Sequence, residues 1–103
     1  MNDNDHRWFL TGLNEAIKGR EFLILGESAQ IGRTDDNDIV LPAHNVSRQH
    51  AIVSMRDDEL WIQDCKSKNG TFVNEIRIAA PTSLEEGDVI DVGGTRLMLK
   101  DVI

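Results

Sequence analysis

The stretch from His50 to Cys65, "HAIVSMRDDELWIQDC", decides the fold class. In its first half Ala51, Val53 and Met55 share one face of an extended chain. In its second half Leu60 and Ile62 alternate with Trp61 and Gln63. Between the halves, "RDDE" at 56–59 supplies the short polar residues of a tight turn. Two runs of period two joined in this way predict a β-hairpin, with one face of each strand turned toward a core.

The same pattern continues outward in both directions. Toward the C-terminus, "DVIDV" and "TRLML" flank Gly93-Gly94, a two-residue hairpin signal because both positions accept positive φ. Toward the N-terminus, "WFLTGL" and "REFLIL" read as strands with "NEAIKG" as the loop between them. A helix from Leu13 to Lys18 is conceivable, but Gly12 and Gly19 bracket it tightly. No window of about a dozen residues holds a sustained helical period. The chain therefore reads as all-β: a two-sheet β-sandwich of about ten to eleven short strands, with its functional loops clustered at one end.

Bulk properties narrow the function classes. With 103 residues the chain fits one domain. No apolar run approaches the roughly 18 residues that span a bilayer, so no membrane association is expected. The N-terminal "MNDNDHR" has neither a basic region nor an apolar one, which predicts no signal peptide and a cytoplasmic location. A net charge of −7 argues against a nucleic-acid partner. Net charge does not exclude a local patch, however. Arg33, Arg48, Lys66 and Lys68 all fall in or beside turn-like segments and could form a basic spot on an acidic body. Cys65 is the single cysteine, read as a small half-buried residue at a strand end.

Three loop motifs carry possible chemistry. In "IGRTDDNDIVL", 31–41, Arg33 presents a planar fork of donors suited to a carboxylate or phosphate. Its carboxylates Asp35, Asp36 and Asp38 lack the EF-hand ladder, so no metal is expected. A turn in which Asn37 and Asp38 bond to backbone amides accounts for them better. In "NVSRQHA", 45–51, Ser47 and His50 could be a nucleophile and its base. No G-x-S-x-G elbow and no Gly-rich oxyanion segment accompany them, and a His at the start of an apolar strand suits a structural bridge. In "SKNGTFVN", 67–74, Asn69-Gly70 signals a turn in which both residues accept left-handed angles, with Thr71 and Asn74 bonding locally. A plain hairpin would explain that motif on its own.

In this order and spacing the three motifs resemble the forkhead-associated (FHA) domain, a phosphothreonine-binding β-sandwich. The resemblance begins near Trp8 and runs through "VSRQHA", "LWIQDCKSKNGTFVN" and "SLEEGDVIDVGGTRLML". It implies a domain over residues 8–103, preceded by a loosely ordered segment over 1–7. It also implies a non-catalytic module whose partner is a phosphothreonine-containing protein, a substrate of a Ser/Thr kinase. No cofactor is called for. A phosphate-independent interaction domain is the alternative within the same family, and a small Ser/His hydrolase is the alternative outside it.

The resemblance further implies the site. Arg33, Ser47, Arg48 and Lys68 are expected at the phosphate, and Asn69 at the main chain of the extended ligand. Gly32, His50, Gly70, Thr71 and Asn74 are expected to shape the loops. His44 and Asn45 fall where the family reads residues C-terminal to the phosphothreonine. Threonine preference in the family comes from a pocket for one methyl, which supplies about 1–3 kcal/mol. Glu75 departs from the family pattern, standing where many members have Gly after the last motif Asn. That places the following turn, not the phosphate site, in question.

Overall fold

The computed structural model describes residues 7–102. Among the described residues eleven strands form two sheets. In chain order they are β1 (Arg7–Gly12), β2 (Glu21–Leu23), β3 (Ser28–Gly32), β4 (Ile39–Val40), β5 (Ala51–Arg56), β6 (Glu59–Asp64), β7 (Thr71–Val73), β8 (Ile76–Arg77), β9 (Thr82–Leu84), β10 (Val89–Val92) and β11 (Thr95–Val102). One sheet has the order β2-β1-β11-β10-β7-β8, the other β4-β3-β5-β6-β9. The expected sandwich is present, and the 13–18 segment holds only a 3-10 turn over Glu15–Ile17. Residues 1–6 of the segment expected to be loosely ordered lie outside the described residues, whereas Arg7 pairs with Val102 as the first residue of β1.

The deciding hairpin forms in the register its pattern requires. Val53 faces Ile62 and Met55 faces Leu60 across β5 and β6. Val53, Leu60 and Ile62 are fully buried, while Trp61 on the opposite face is half-buried. From the other sheet Leu10, Ile90, Leu97 and Leu99 close on them to complete one core. Burying each such side chain contributes about 1.5–3 kcal/mol, so the alternation fixes which face turns inward.

Three two-residue turns join adjacent strands within a sheet. Asp57-Asp58 links β5 to β6 with φ of 50° and 68°, and Gly93-Gly94 links β10 to β11 with φ of 59° and 88°. Asn74-Glu75 links β7 to β8 with φ of 49° and 72°. The last answers the question raised by Glu75: the turn keeps its shape, with glutamate in a conformation better suited to glycine.

Longer connections differ in kind. The 65–70 loop joins β6 of one sheet to β7 of the other, so it is a crossover and not the plain hairpin that its Asn-Gly pair allows. Of that pair only Gly70 is left-handed, with φ of 88°. The 33–38 and 41–50 loops flank β4, a two-residue strand that pairs parallel to β3. Among the described residues no helix is long and apolar enough to cross a membrane.

Candidate functional site

Three loops distant in sequence meet at one end of the sandwich, and main-chain hydrogen bonds set their spacing. The Arg33 amide donates to the Ser47 carbonyl at 3.0 Å, joining the first loop to the second. Gly32 sits beneath this junction. A Cβ there would lie 2.1 Å from the Arg48 carbonyl oxygen, so any side chain would force the loops apart. Asn37 donates to that same carbonyl at 2.7 Å, and to the Thr34 carbonyl at 2.9 Å. The expected bonding of Asn37 to backbone amides is thus reversed: its NH2 serves carbonyls. Asp38 behaves as expected and accepts from the Gln30 amide at 2.8 Å.

His50 ties the second loop to the third. It is fully buried, its Nδ1 accepts from the Ser47 amide at 3.0 Å, and its Nε2 donates to the Gly70 carbonyl at 2.8 Å. Those partners select the neutral tautomer with the proton on Nε2. Neither nitrogen bonds to Ser47 Oγ, so the nucleophile-and-base arrangement considered for this pair is not formed. Ser47 Oγ instead accepts from the Lys68 amide at 3.0 Å, which leaves its own hydrogen free to donate.

Asp64 organises the third loop, and motif reasoning missed it. Its carboxylate accepts from the Ser67 amide at 3.0 Å and the Ser67 hydroxyl at 2.5 Å, and from the Thr71 hydroxyl at 2.7 Å. The Gly70 amide then donates to Ser67 Oγ at 2.9 Å. Partial burial works to raise the Asp64 pKa. The hydroxyl bonds from Ser67 and Thr71, the Ser67 amide and nearby His50 outweigh it and hold the carboxyl below its usual range. The Asp-x-x-Ser spacing over 64–67, typical of a side-chain-capped turn, was the available signal. Cys65 is exposed, not half-buried, and desolvation followed by the charge of Asp64 pushes its thiol up.

Together the loops enclose an open hollow of about 490 Å3. Arg33, Arg48, Lys66 and Lys68 line it, with Ser47 and Asn69 between them. Arg33 donates from Nε to the Val46 carbonyl at 2.9 Å, which orients the guanidinium and leaves both terminal nitrogens for a ligand. Asn69 donates one amide hydrogen to the Asn45 carbonyl at 2.8 Å, keeping its oxygen and second hydrogen available. His44 and Asn45 form part of its rim. Gly93, from the β10–β11 turn, packs below that rim: a Cβ there would lie 2.2 Å from the Asn45 carbonyl oxygen. This support joins residues far apart in sequence and had no local signature.

One expected loop-shaping residue lies elsewhere. Asn74 donates to Asp88 at 3.0 Å and accepts from the Val89 amide at 2.9 Å, at the end of β7 remote from Gly70. It braces the β7–β8 turn and not the hollow. Gly32, His50, Gly70 and Thr71 do border the three loops.

A two-sheet sandwich with a cationic, hydroxyl-bearing hollow at its loop end defines an anion-recognition module. Comparison with known proteins gives the family: the FHA domain model matches residues 29–93, and the chain belongs to the FHA domain family. The chain is 38% identical over 80 residues to the transcriptional regulatory protein EmbR of Mycobacterium tuberculosis, a match covering 78% of this chain and 21% of EmbR. The chain thus spans about a fifth of that relative's length. The solved structure of M. tuberculosis EmbR with a low-affinity phosphopeptide superposes with a TM-score of 0.84 at 32% identity, covering 91% of this chain and 24% of that one. The FHA domain of CT664 from Chlamydia trachomatis gives 0.86 at 33% identity, covering 94% and 99% of the two chains. A structure described as a study of phosphothreonine-dependent FHA domain interactions gives 0.83 at 29%, covering 91% and 95%.

Proposed function

We propose that this chain is a non-catalytic recognition module for phosphothreonine-containing segments of partner proteins that are substrates of a Ser/Thr kinase. One observation carries the reading: Arg33, Ser47 and Lys68, from three separate loops, line one hollow with donors uncommitted to the protein. Phosphothreonine brings about −1.5 to −2 charge and three strong acceptor oxygens. The Arg33 fork and the Ser47 hydroxyl meet those oxygens by charge-assisted bonds, with Lys68 and Arg48 adding charge around them. Asn69 holds the ligand main chain, and His44 with Asn45 reads the residues that follow.

No bond is made or broken in this scheme, because His50 is committed to the main chain on both sides. The module is read as residues 8–103, a range supported by the described strands from β1, which starts one residue earlier at Arg7, to β11, which together complete the six-stranded sheet. It works in the cytoplasm, where ATP-dependent kinases generate the ligand. The phosphopeptide bound by EmbR supports the same assignment.

Titration calorimetry with matched peptides tests it. A phosphothreonine peptide binds, its unphosphorylated twin does not, and a phosphoserine version binds more weakly by about 1–3 kcal/mol for the missing methyl. Equal affinity with and without the phosphate would establish the phosphate-independent alternative instead. A serine-directed activated probe that labels Ser47, with labelling abolished in His50→Ala, would establish the hydrolase.

A further inference from the structure

The hollow holds more positive charge than one phosphothreonine neutralises. Four cationic side chains line it and none of its own lining residues is Asp or Glu, with Asp36 beside Arg48 only in an adjoining cleft, whereas a phosphothreonine supplies at most about two negative charges. The nearest acid in sequence to Lys66 is Asp64, which borders a neighbouring cleft with it, keeps its negative charge, and has its oxygens turned to Ser67 and Thr71 by three hydrogen bonds.

The surplus is localised. Three bonds align the second and third loops side by side: Asn69 to Asn45, Lys68 to Ser47 and Cys65 to His50. In that alignment Lys66 lies along the chain between the Cys65–His50 and Lys68–Ser47 bonds, toward residues 48–49 and away from the Asn69–Asn45 end. Lys66 also holds a left-handed backbone with φ of 58°, a conformation that glycine adopts at lower cost. A lysine kept in a glycine-like conformation on the wall of an anion hollow points to a use for its charge.

Building on the proposed function, we infer that Lys66, with Arg48, forms a second anion subsite that selects partners carrying another anionic group on the N-terminal side of the phosphothreonine. The group is a carboxylate or a second phosphoryl in the same segment. Both present oxygen acceptors to an ammonium, and the test separates them.

The test compares peptides with one phosphothreonine and, at each of the three preceding positions in turn, Ala, Asp or phosphoserine. Affinities are measured for the native domain and for Lys66→Gly. At the best position the native domain favours Asp over Ala by about three- to fivefold, the scale of one solvent-exposed ion pair, and favours phosphoserine by more. In Lys66→Gly the acidic preference collapses toward parity, the Ala peptide loses less affinity than the others, and the melting temperature rises as the backbone strain is relieved. Preference for phosphoserine without preference for Asp would assign the subsite to a second phosphate.

Equal affinity for Ala and acidic peptides in the native domain overturns the inference. So does a preference that persists in Lys66→Gly. Silence of the Ala reference peptide would instead remove the phosphothreonine reading itself, and this inference with it.

Discussion

The two-residue turns and the long loops of this sandwich are held by different means. At Asp57-Asp58, Asn74-Glu75 and Gly93-Gly94 positive backbone angles reverse the chain beside a flanking ladder. The bracing side-chain bonds at the last two, Asn74 to Asp88 and the Gly94 amide to Asp91, come mainly from the adjoining strands and turns. The 33–38, 41–50 and 65–70 loops instead depend on one another. His50 spans two of them, Asn37 and Gly32 fit against Arg48, and Asp64 gathers its own loop around a carboxylate. The lesson is that local conformation suffices to build the scaffold, whereas the site exists only as a mutual arrangement.

Substitutions can break or sharpen that contrast. The largest effect is expected from Arg33→Ala, which removes the anion fork from the shared hollow. Affinity for a phosphothreonine peptide falls by about 2–5 kcal/mol in calorimetry, while the melting temperature hardly moves because Arg33 is exposed. Undiminished affinity would show that the loops converge without making a phosphate site.

His50→Ala attacks the convergence itself. It leaves the Ser47 amide and the Gly70 carbonyl without their partner in a buried setting, at a cost of about 2–4 kcal/mol in urea denaturation. A loss below about 0.5 kcal/mol, the range of an ordinary surface substitution, would mean that the long loops hold themselves as the hairpins do.

A smaller effect follows from pH. Because the Asp64 carboxyl is held below its usual range, its contribution to stability is present above the ordinary carboxylate pKa of about 4 and is lost as pH falls through the folded-state value. Melting temperatures recorded from pH 6 downward should therefore fall less steeply in Asp64→Asn than in the native domain. Parallel slopes would show that Asp64 does not act through its charge.

The smallest effect belongs to a hairpin. Glu75→Gly relieves a left-handed glutamate and stabilises the domain by roughly 0.5–1 kcal/mol in thermal denaturation. Peptide affinity is unaffected, since the β7–β8 turn lies away from the hollow. A change in affinity would link the two classes of loop and erase the distinction.

Much of the scaffold was legible in the residues. Alternation over 50–65 and the Gly93-Gly94 signal predict strands and turns that the structure contains, because a side-chain period of two and a positive φ are properties of neighbours. The partners of the loop residues were less legible. Asp64 was absent from the expected site, Asn74 braces the β7–β8 turn instead of the loops it was expected to shape, and the Asn69-Gly70 pair, which a plain hairpin would explain in isolation, belongs to a crossover between sheets. Each depends on what a distant segment brings alongside.

By itself the sequence determined an all-β chain, its hydrophobic faces and the ordered motifs that mark its family. Tertiary structure alone decided that Arg33, Ser47 and Lys68 face one space, that Gly93 props the Asn45 rim, and that Lys66 joins three other cations there. The division has a physical cause: backbone preference and side-chain periodicity act over a few residues, whereas an anion site requires charges to be held together against their mutual repulsion, which only the packed loops achieve.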